Sequence, residues 1–413
     1  MTLVDLTTFD PAGQVSQESL SVDPVSLYQA FEEVKDGRGR KGKRYPLALI
    51  LTLIMLGKMA GETKIEGIID WTNERKNKIK KLLNWPKDFP SHKTYDYALS
   101  KSDHQEVARA IAKVIISARS GNQCSDDKST TTDKASTGKE KLIHTAVDGK
   151  VMRGTLKHGR DDQPPVHLLT FYECESGIVL DQFSVGKKEN EYSICKSILH
   201  PLLVKGRIIT ADAGIGYKDL CTIVHAMGGY YEIPIKDNHP AVRQDLISFF
   251  EDKGIDRSEF QYHKETNKGH GRLEVREIWT STQMNRFFAK EWAGIAQVFM
   301  IKRTVVEKDE TRIEIVYGLT SLSRKKANAE RVLYYNRKHW SIENRLHHRR
   351  DVTLGEDASQ TRISGAPAVL AALNGGILAL MDFLGVKNVA KQMRHFCEYP
   401  REALQVLLGK LSG

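Results

Sequence analysis

The chain changes its hydrophobic rhythm twice. From about 24 to 118 the apolar residues recur at helical spacing, and the stretch "YPLALILTLIMLGKMAG" (45–61) is apolar on nearly every face, as is "APAVLAALNGGILALMDFLG" (366–385) far downstream. A helix that is apolar all round is buried in protein or lipid. The first stretch carries Lys58 and the second is interrupted by Asn374, Gly375 and Gly376, so both fall short of a membrane span and predict buried helices. From 142 the period shortens. "LIHTAVDGK" (142–150), "VHLLTFYE" (166–173) and "GIVLDQFSVG" (177–186) predict three strands, the last two a hairpin closing over Cys174–Gly177. Helical spacing over 190–206 and 217–229 then alternates with strands at 207–214 and 230–236. Further strand-like runs at 273–281, 296–306 and 312–322 predict a β-rich insertion, or an extension of the sheet, within 240–325. A helix follows from about 327 to 350, and 363–411 reads as helical.

The order β-β-β-α-β-α-β predicts an α/β fold whose mixed sheet starts antiparallel and continues through parallel crossovers, the order of ribonuclease H-like domains. The expected organisation is a loose lead-in (1–23), a helical N-terminal region (24–118), a polar linker (119–141), an α/β domain (142–385) and a helical tail (386–413). The linker expectation rests on "SGNQCSDDKSTTTDKASTGKEK", which is too poor in apolar residues to build a core.

Charge adds a partner to this picture. Lys and Arg number 62 against 52 Asp and Glu, a net charge of +10, which favours a polyanion, nucleic acid first. The excess is local: residues 36–87 hold 13 Lys/Arg and 5 Asp/Glu. The five cysteines form no CxxC pair and no even framework, so neither a disulfide scaffold nor a zinc site is indicated and a reducing cytosol fits. The N-terminus lacks the basic and apolar regions of a signal peptide.

Three acids carry the candidate chemistry. Asp148 in "AVDGK" and Asp212 in "ITADAG" are expected at the carboxyl ends of strands, where open α/β sheets place their sites. A turn-forming Asp is the ordinary alternative for either alone. Glu343, in "HWSIENRLHHRRDVTLGEDAS" (339–359), lies on a helix with His339, His347 and Arg350 along one face. For a lone Glu the ordinary reading is a solvated ion pair, and a second is zinc held by His339, Glu343 and His347, although the spacing lacks the HExxH arrangement. Three acids from two strands and a helix suit Mg²⁺ or Mn²⁺, hard ions that prefer oxygen ligands, and two such ions can drive phosphodiester chemistry.

In order, "TAVDGKVMRG", "KKENEYSICKSILHPLLVKGRIITADAG", "GGYYEIPIKDNHPAV", "NKGHGRLEVREI" and "RKHWSIENRLHHRRDVTLGEDAS" resemble the signatures of bacterial insertion-sequence transposases of the DDE type, nearest to the H-repeat-associated group. The resemblance covers about 24–385 and implies that Asp148, Asp212 and Glu343 are the catalytic, metal-binding triad of a ribonuclease H-like domain. It implies Mg²⁺ or Mn²⁺ as cofactor, double-stranded DNA (element ends and target) as partner, and a homodimer or larger assembly acting in a bacterial cytoplasm. It further implies a β insertion at 240–325 and an N-terminal transposase-associated domain that reads DNA ends. The wider superfamily's Tyr-x2-Arg-x3-Glu-x6-Lys signature has Asn336, His339 and Arg350 at its Tyr, Arg and Lys places here, and "AGIGYKD" replaces the His and Gln found after the second Asp in relatives. A catalytically silent DNA-binding regulator is the alternative function.

Around the triad, Lys150, Arg153, His339, Arg345, His347, Arg349 and Arg350 are expected as phosphate contacts, as are Lys236 and Asn238 after the strand at 230–236. Asn190 and Glu191 open a helix, with a cap as the favoured reading and a site role open. His270, Arg272 and Arg276 fall on a basic β segment that could face DNA. In the N-terminal region the arm "DGRGRKGKRYP" offers Arg38, Arg40, Lys41, Lys43 and Arg44, and "SHKTYDYALSK" offers Lys93 near the start of a helix.

Overall fold

A computed structural model describes residues 26–123, 142–155, 165–186, 189–269, 271–308, 310–359 and 361–409. The expected lead-in, His270 and most of the expected linker lie outside them. The N-terminal region is helical: α1 (Leu27–Glu32), α2 (Leu47–Met59), α3 (Ile65–Glu74), α4 (Lys76–Leu83), α5 (His92–Lys101) and α6 (His104–Gln123), the last running beyond the boundary expected at 118. Every residue of α2 is buried, as its unbroken apolar run requires.

One nine-stranded mixed sheet organises the rest: β1 (Ile143–Val151), β2 (His167–Glu173), β3 (Ile178–Ser184), β4 (Arg207–Ala211), β5 (Tyr230–Ile235), β6 (Gln261–Gly269), β7 (Arg272–Ser281), β8 (Gln297–Glu307) and β9 (Glu310–Thr320). Its order is β3-β2-β1-β4-β5-β9-β8-β7-β6, so the β-rich stretch extends the sheet by pairing β9 antiparallel to β5. β1, β4 and β5 are parallel, and β1–β3 form an antiparallel meander whose β2–β3 turn uses Gly177 at φ +77°. The β-rich stretch also contains helices absent from the sequence reading, α10 (Pro240–Glu251) and the short α11 (Asn285–Phe288), and the strand β6.

Helices cover both faces of the sheet. The α7 (Glu191–Ile198), α8 (Pro201–Val204), α9 (Lys218–Ala226) and α10 helices lie in a core with Val147, Ile209, Ala211 and Ile233. The predicted helix at 190–206 is two pieces because the chain turns at Leu199 and His200 before Pro201. On the other face α12 (Ala329–His339) packs Val332, Leu333 and Tyr335 against Ile208, Phe299 and Ile301. The chain then passes through a π-helical turn (Ile342–His347) into α13 (His348–Val352), so the helix expected from 327 to 350 is interrupted at Glu343 itself.

The last three helices, α14 (Ala366–Phe383), α15 (Val389–Glu398) and α16 (Pro400–Leu407), close the molecule. Helix α14 is long and apolar enough to cross a membrane, yet 89% of it is buried inside the protein. It shares one core with α2, α5, α6, β1–β3 and the π-turn residues Ile342 and Leu346. Helices α2, α5 and α6 pack on α14, and α15 and α16 pack on α2, all within the same core.

Candidate active site

Two strand residues reach one cleft because their ladder stops there. The parallel pairing of β1 with β4 ends at Val147↔Ala211, and the next residue on each strand is an acid, Asp148 and Asp212. Asp148 does not end its strand, as the sequence reading had it: β1 continues to Val151, with Asp148 opposite Thr170 of β2, and the Asp-Gly pair forms no turn. Past β4 the chain folds back through an Asx turn in which Asp212 Oδ1 accepts the Ile215 N–H at 3.1 Å. Asn238 pins that loop by donating to the Ala213 carbonyl at 2.6 Å. Its side chain thus holds the Asp212 turn.

The third acid comes from the π-helical turn, a distortion frequent at functional sites. Glu343 Oε2 lies 3.0 Å from Nδ1 of His347, which is also 3.6 Å from Asp148 Oδ2. Asp148, Glu343 and His347 each offer an atom within 4.8 Å of the others, and among the described residues this group could hold a metal ion. Asp148, Asp212 and Glu343 line one cleft of about 740 Å³, together with Lys236, Arg272, Arg276, His339 and the exposed Trp340.

Crowding sets the electrostatics. Burial pushes the Asp148 carboxyl up to about 7, with the charges of Asp212, Glu191 and Glu343 adding to it against one N–H bond from Gly149. Burial, then the Glu191 charge, also raises Asp212. Glu343 goes the other way, held below the usual carboxylate range by its hydrogen bond from His347, whose own burial keeps the imidazole neutral. Acids crowded together in this way fit a bound cation.

The cationic residues around Glu343 serve different ends from those expected. Arg350 is fully buried, 2.7 Å from Glu356, whose other oxygen accepts from Asn374. Arg345 and Arg349 both pair with Asp382 of α14 at 2.8 Å, and Arg345 also bonds the Cys174 carbonyl. Lys150 is buried against Asp351 at 2.6 Å. His339 is bonded to Thr210 through Nδ1 at 3.0 Å, and burial lowers it to about 4, so it enters the site as a neutral ring. It lies outside the metal-capable group, so the zinc stripe is not assembled. In the basic arm Arg38 is buried in an ion pair with Asp36 and bonds the Tyr45 carbonyl. These guanidinium and imidazole groups are engaged in contacts within the fold. His347 is equally enclosed, at 2% exposure, against the Asp148 and Glu343 carboxylates.

Others remain on the surface. Arg153, Lys236, Arg272, Arg40, Lys41, Lys43, Arg44 and Lys93 are exposed, and Lys236 and Arg272 line the cleft. Arg276 is half-buried, 2.6 Å from Glu274. Of two further residues at the site, Glu191 has only an open site role in the sequence reading and His167 has none. Glu191 lies beside the two aspartates, bonded by His167 at 2.6 Å, while the capping role belongs to Asn190, whose side chain accepts from Ser193. The pair "NE" at a helix start was the available signal; His167, on a strand, gave none.

The chain matches known proteins over most of its length. The family described as Transposase DDE domain matches residues 139–372, and that described as DDE_Tnp_1-associated matches residues 28–115. Similar curated proteins include "Putative protein YbfL" of Escherichia coli (strain K12), 25% identical over 84% of this chain and 88% of that protein. "Putative transposase YncI" of Escherichia coli O157:H7 is 25% identical over 89% of this chain and 90% of its own length. "H repeat-associated putative transposase YhhI" of Escherichia coli (strain K12) is 26% identical over 55% of this chain and 61% of its own.

Proposed function

The chain belongs to the Transposase DDE domain family, and from that premise we propose that it cuts DNA at the ends of its insertion sequence and joins the 3′-hydroxyl ends to target DNA. The observation that carries this reading is the meeting of Asp148, Asp212 and Glu343, from two adjacent strand ends and a π-helical turn, in one cleft. The three carboxylates would hold Mg²⁺ or Mn²⁺, with His347 fixing Glu343 against Asp148. When bound, such ions supply Lewis acidity to the attacking and leaving oxygens of a phosphodiester. Lys236 and Arg272, on the walls of the cleft, would orient the scissile phosphate, and exposed Arg153 would meet the backbone beside it. His339 as a neutral donor or acceptor bonds Thr210 and ties the catalytic helix to β4, a positioning role where relatives have Arg.

The N-terminal helices, with Arg40, Lys41, Lys43 and Arg44 exposed on one arm and Lys93 on the first turn of α5, are proposed to grip the element end. The sheet order around the acids supports a ribonuclease H-like reading of the catalytic domain. The test is direct. Terminal inverted repeats are identified in the DNA flanking the gene, and labelled duplexes carrying them are incubated with purified protein and Mg²⁺ or Mn²⁺. Nicking at the repeat boundary and joined products are expected; binding with neither product, under both metals, overturns the reading in favour of a silent regulator.

A further inference from the structure

We propose that Glu191 is a fourth metal-binding carboxylate of this site, aimed by His167 and seated in the space that Gly149 leaves by having no side chain. The inference rests on the reading of Asp148, Asp212 and Glu343 as metal ligands.

Three observations carry it. First, Glu191 is not the cap of its helix. Asn190 and Ser193 already form the complete capping box of α7, each side chain bonding the other's N–H. Second, its carboxylate is placed. Nε2 of His167, on β2, holds Oε1 at 2.6 Å, and among the described residues Oε2 has no hydrogen-bond partner and Glu191 pairs with no Lys or Arg. The side chain is only 27% exposed, and among the described residues an imidazole is its one ion-pair partner.

Third, the neighbouring strand is shaped around it. Gly149 follows Asp148 in β1, a position where glycine weakens a strand and marks close approach by another group. A Cβ built there would fall inside the Glu191 carboxyl group, meeting all three of its heavy atoms. The carboxylate thus rests on the backbone next to Asp148. Its field reaches both aspartates, among whose charged neighbours it counts in each case. With Asp148, Asp212 and Glu343 lining the cleft, Glu191 behind Asp148 would complete a donor set large enough for two hard cations that keep some of their waters.

The experiment is a Mn²⁺ titration of the full-length protein followed by electron paramagnetic resonance of the free ion, paired with end cleavage at increasing Mn²⁺. Glu191→Gln keeps an oxygen for His167 but removes the charge. It is expected to lower Mn²⁺ affinity by about 10- to 100-fold, the range for losing a site's supporting or ligating partner, with cleavage recovering as Mn²⁺ is raised. Gly149→Ala displaces the carboxylate and is expected to reproduce the defect, while the double variant is no worse than either single one. Wild-type Mn²⁺ binding in a folded Glu191→Gln protein overturns the proposal. If Glu191→Gln does not fold, Glu191→Asp, which keeps the charge and shortens the reach, replaces it; unchanged Mn²⁺ affinity there counts against the proposal. Asp148→Asn and Asp212→Asn separate the two readings. If these lose Mn²⁺ and Glu191→Gln does not, the fourth ligand alone is refuted; if none of them loses Mn²⁺, the triad reading falls with it.

Discussion

Asp148 carries the strongest electrostatic conflict in the site. Its carboxyl is raised to about 7 by burial and by three neighbouring acids, so the metal-free folded state holds a proton that the unfolded chain, with an ordinary Asp near 4, has released. Stability then falls as pH rises between those two values, because the folded state binds more protons there, and is level above 7. A bound cation replaces the proton and removes the slope. Denaturation in EDTA across pH 4–8 is expected to show a decline that Asp148→Asn lacks, and Mg²⁺ is expected to raise the melting midpoint more at pH 8 than at pH 5. Equal slopes for the two proteins would contradict this electrostatic picture. The two aspartates stood out in the sequence as acids following apolar runs, although Asp148 lies within its strand and not at its end. The roles of the bases were not legible there. Arg345 and Arg349 answer to Asp382 and Arg350 to Glu356, while His339 answers to Thr210 at a sequence separation of 129. No local pattern distinguishes an arginine facing DNA from one facing a distant buried carboxylate.

Among the elements, the segment from α12 through the π-helical turn to α13 decides where Glu343 stands. Its far end is fixed by the buried Arg350–Glu356 pair, with Asn374 of α14 as the second donor to Glu356. Glu356 is held below the usual carboxylate range by Arg350 despite its burial, so its contribution is present above the unfolded Glu value and lost as pH falls through the lower folded one. Breaking one partner of such a pair leaves a buried charge. Glu356→Gln is expected to cost about 3–5 kcal/mol in urea denaturation, whereas Arg153→Ala, on the surface, is expected to leave the midpoint unchanged. A loss below about 1 kcal/mol would show that the pair behaves as a solvated one. The helical period predicted one unbroken helix here, because an extra residue per turn leaves no mark in an apolar pattern. Strand β6 was missed for a related reason: it is largely exposed, with polar residues on both sides, and is held by its ladder to β7.

Over the whole molecule, the apolar rods α2 and α14 join what the sequence suggested were separate regions. Leu53 of α2 and Leu373 of α14 are both fully buried in the core that also takes in α6 and the meander β1–β3. The grip proposed for the DNA end is thereby built onto the same core as Glu343, whose neighbours Ile342 and Leu346 lie in it. Residues 26–123 expressed alone lack α14 and are expected to show no cooperative thermal transition; a sharp one would mean that the N-terminal helices complete a core of their own. Leu373→Ala is expected to destabilise the full chain by about 2–5 kcal/mol, with helical and near-ultraviolet signals shifting together. The buried nature of both rods was readable from their composition, but their partnership was not, since nothing in an all-apolar stretch names the surface that covers it. The sheet was readable in the same degree: the strands β1–β5 follow their hydrophobic runs, whereas the join of β9 to β5 depends on a pairing across some 85 residues of intervening chain.

The most direct measurement of the central claim is cleavage of labelled element-end DNA by the wild-type protein and by Asp148→Asn, Asp212→Asn and Glu343→Gln, with DNA binding measured on the same preparations. The account predicts metal-dependent cutting by the wild type and loss of cutting by at least about a thousandfold in each variant, with end binding retained. Cutting that survives any one of the three substitutions would contradict it.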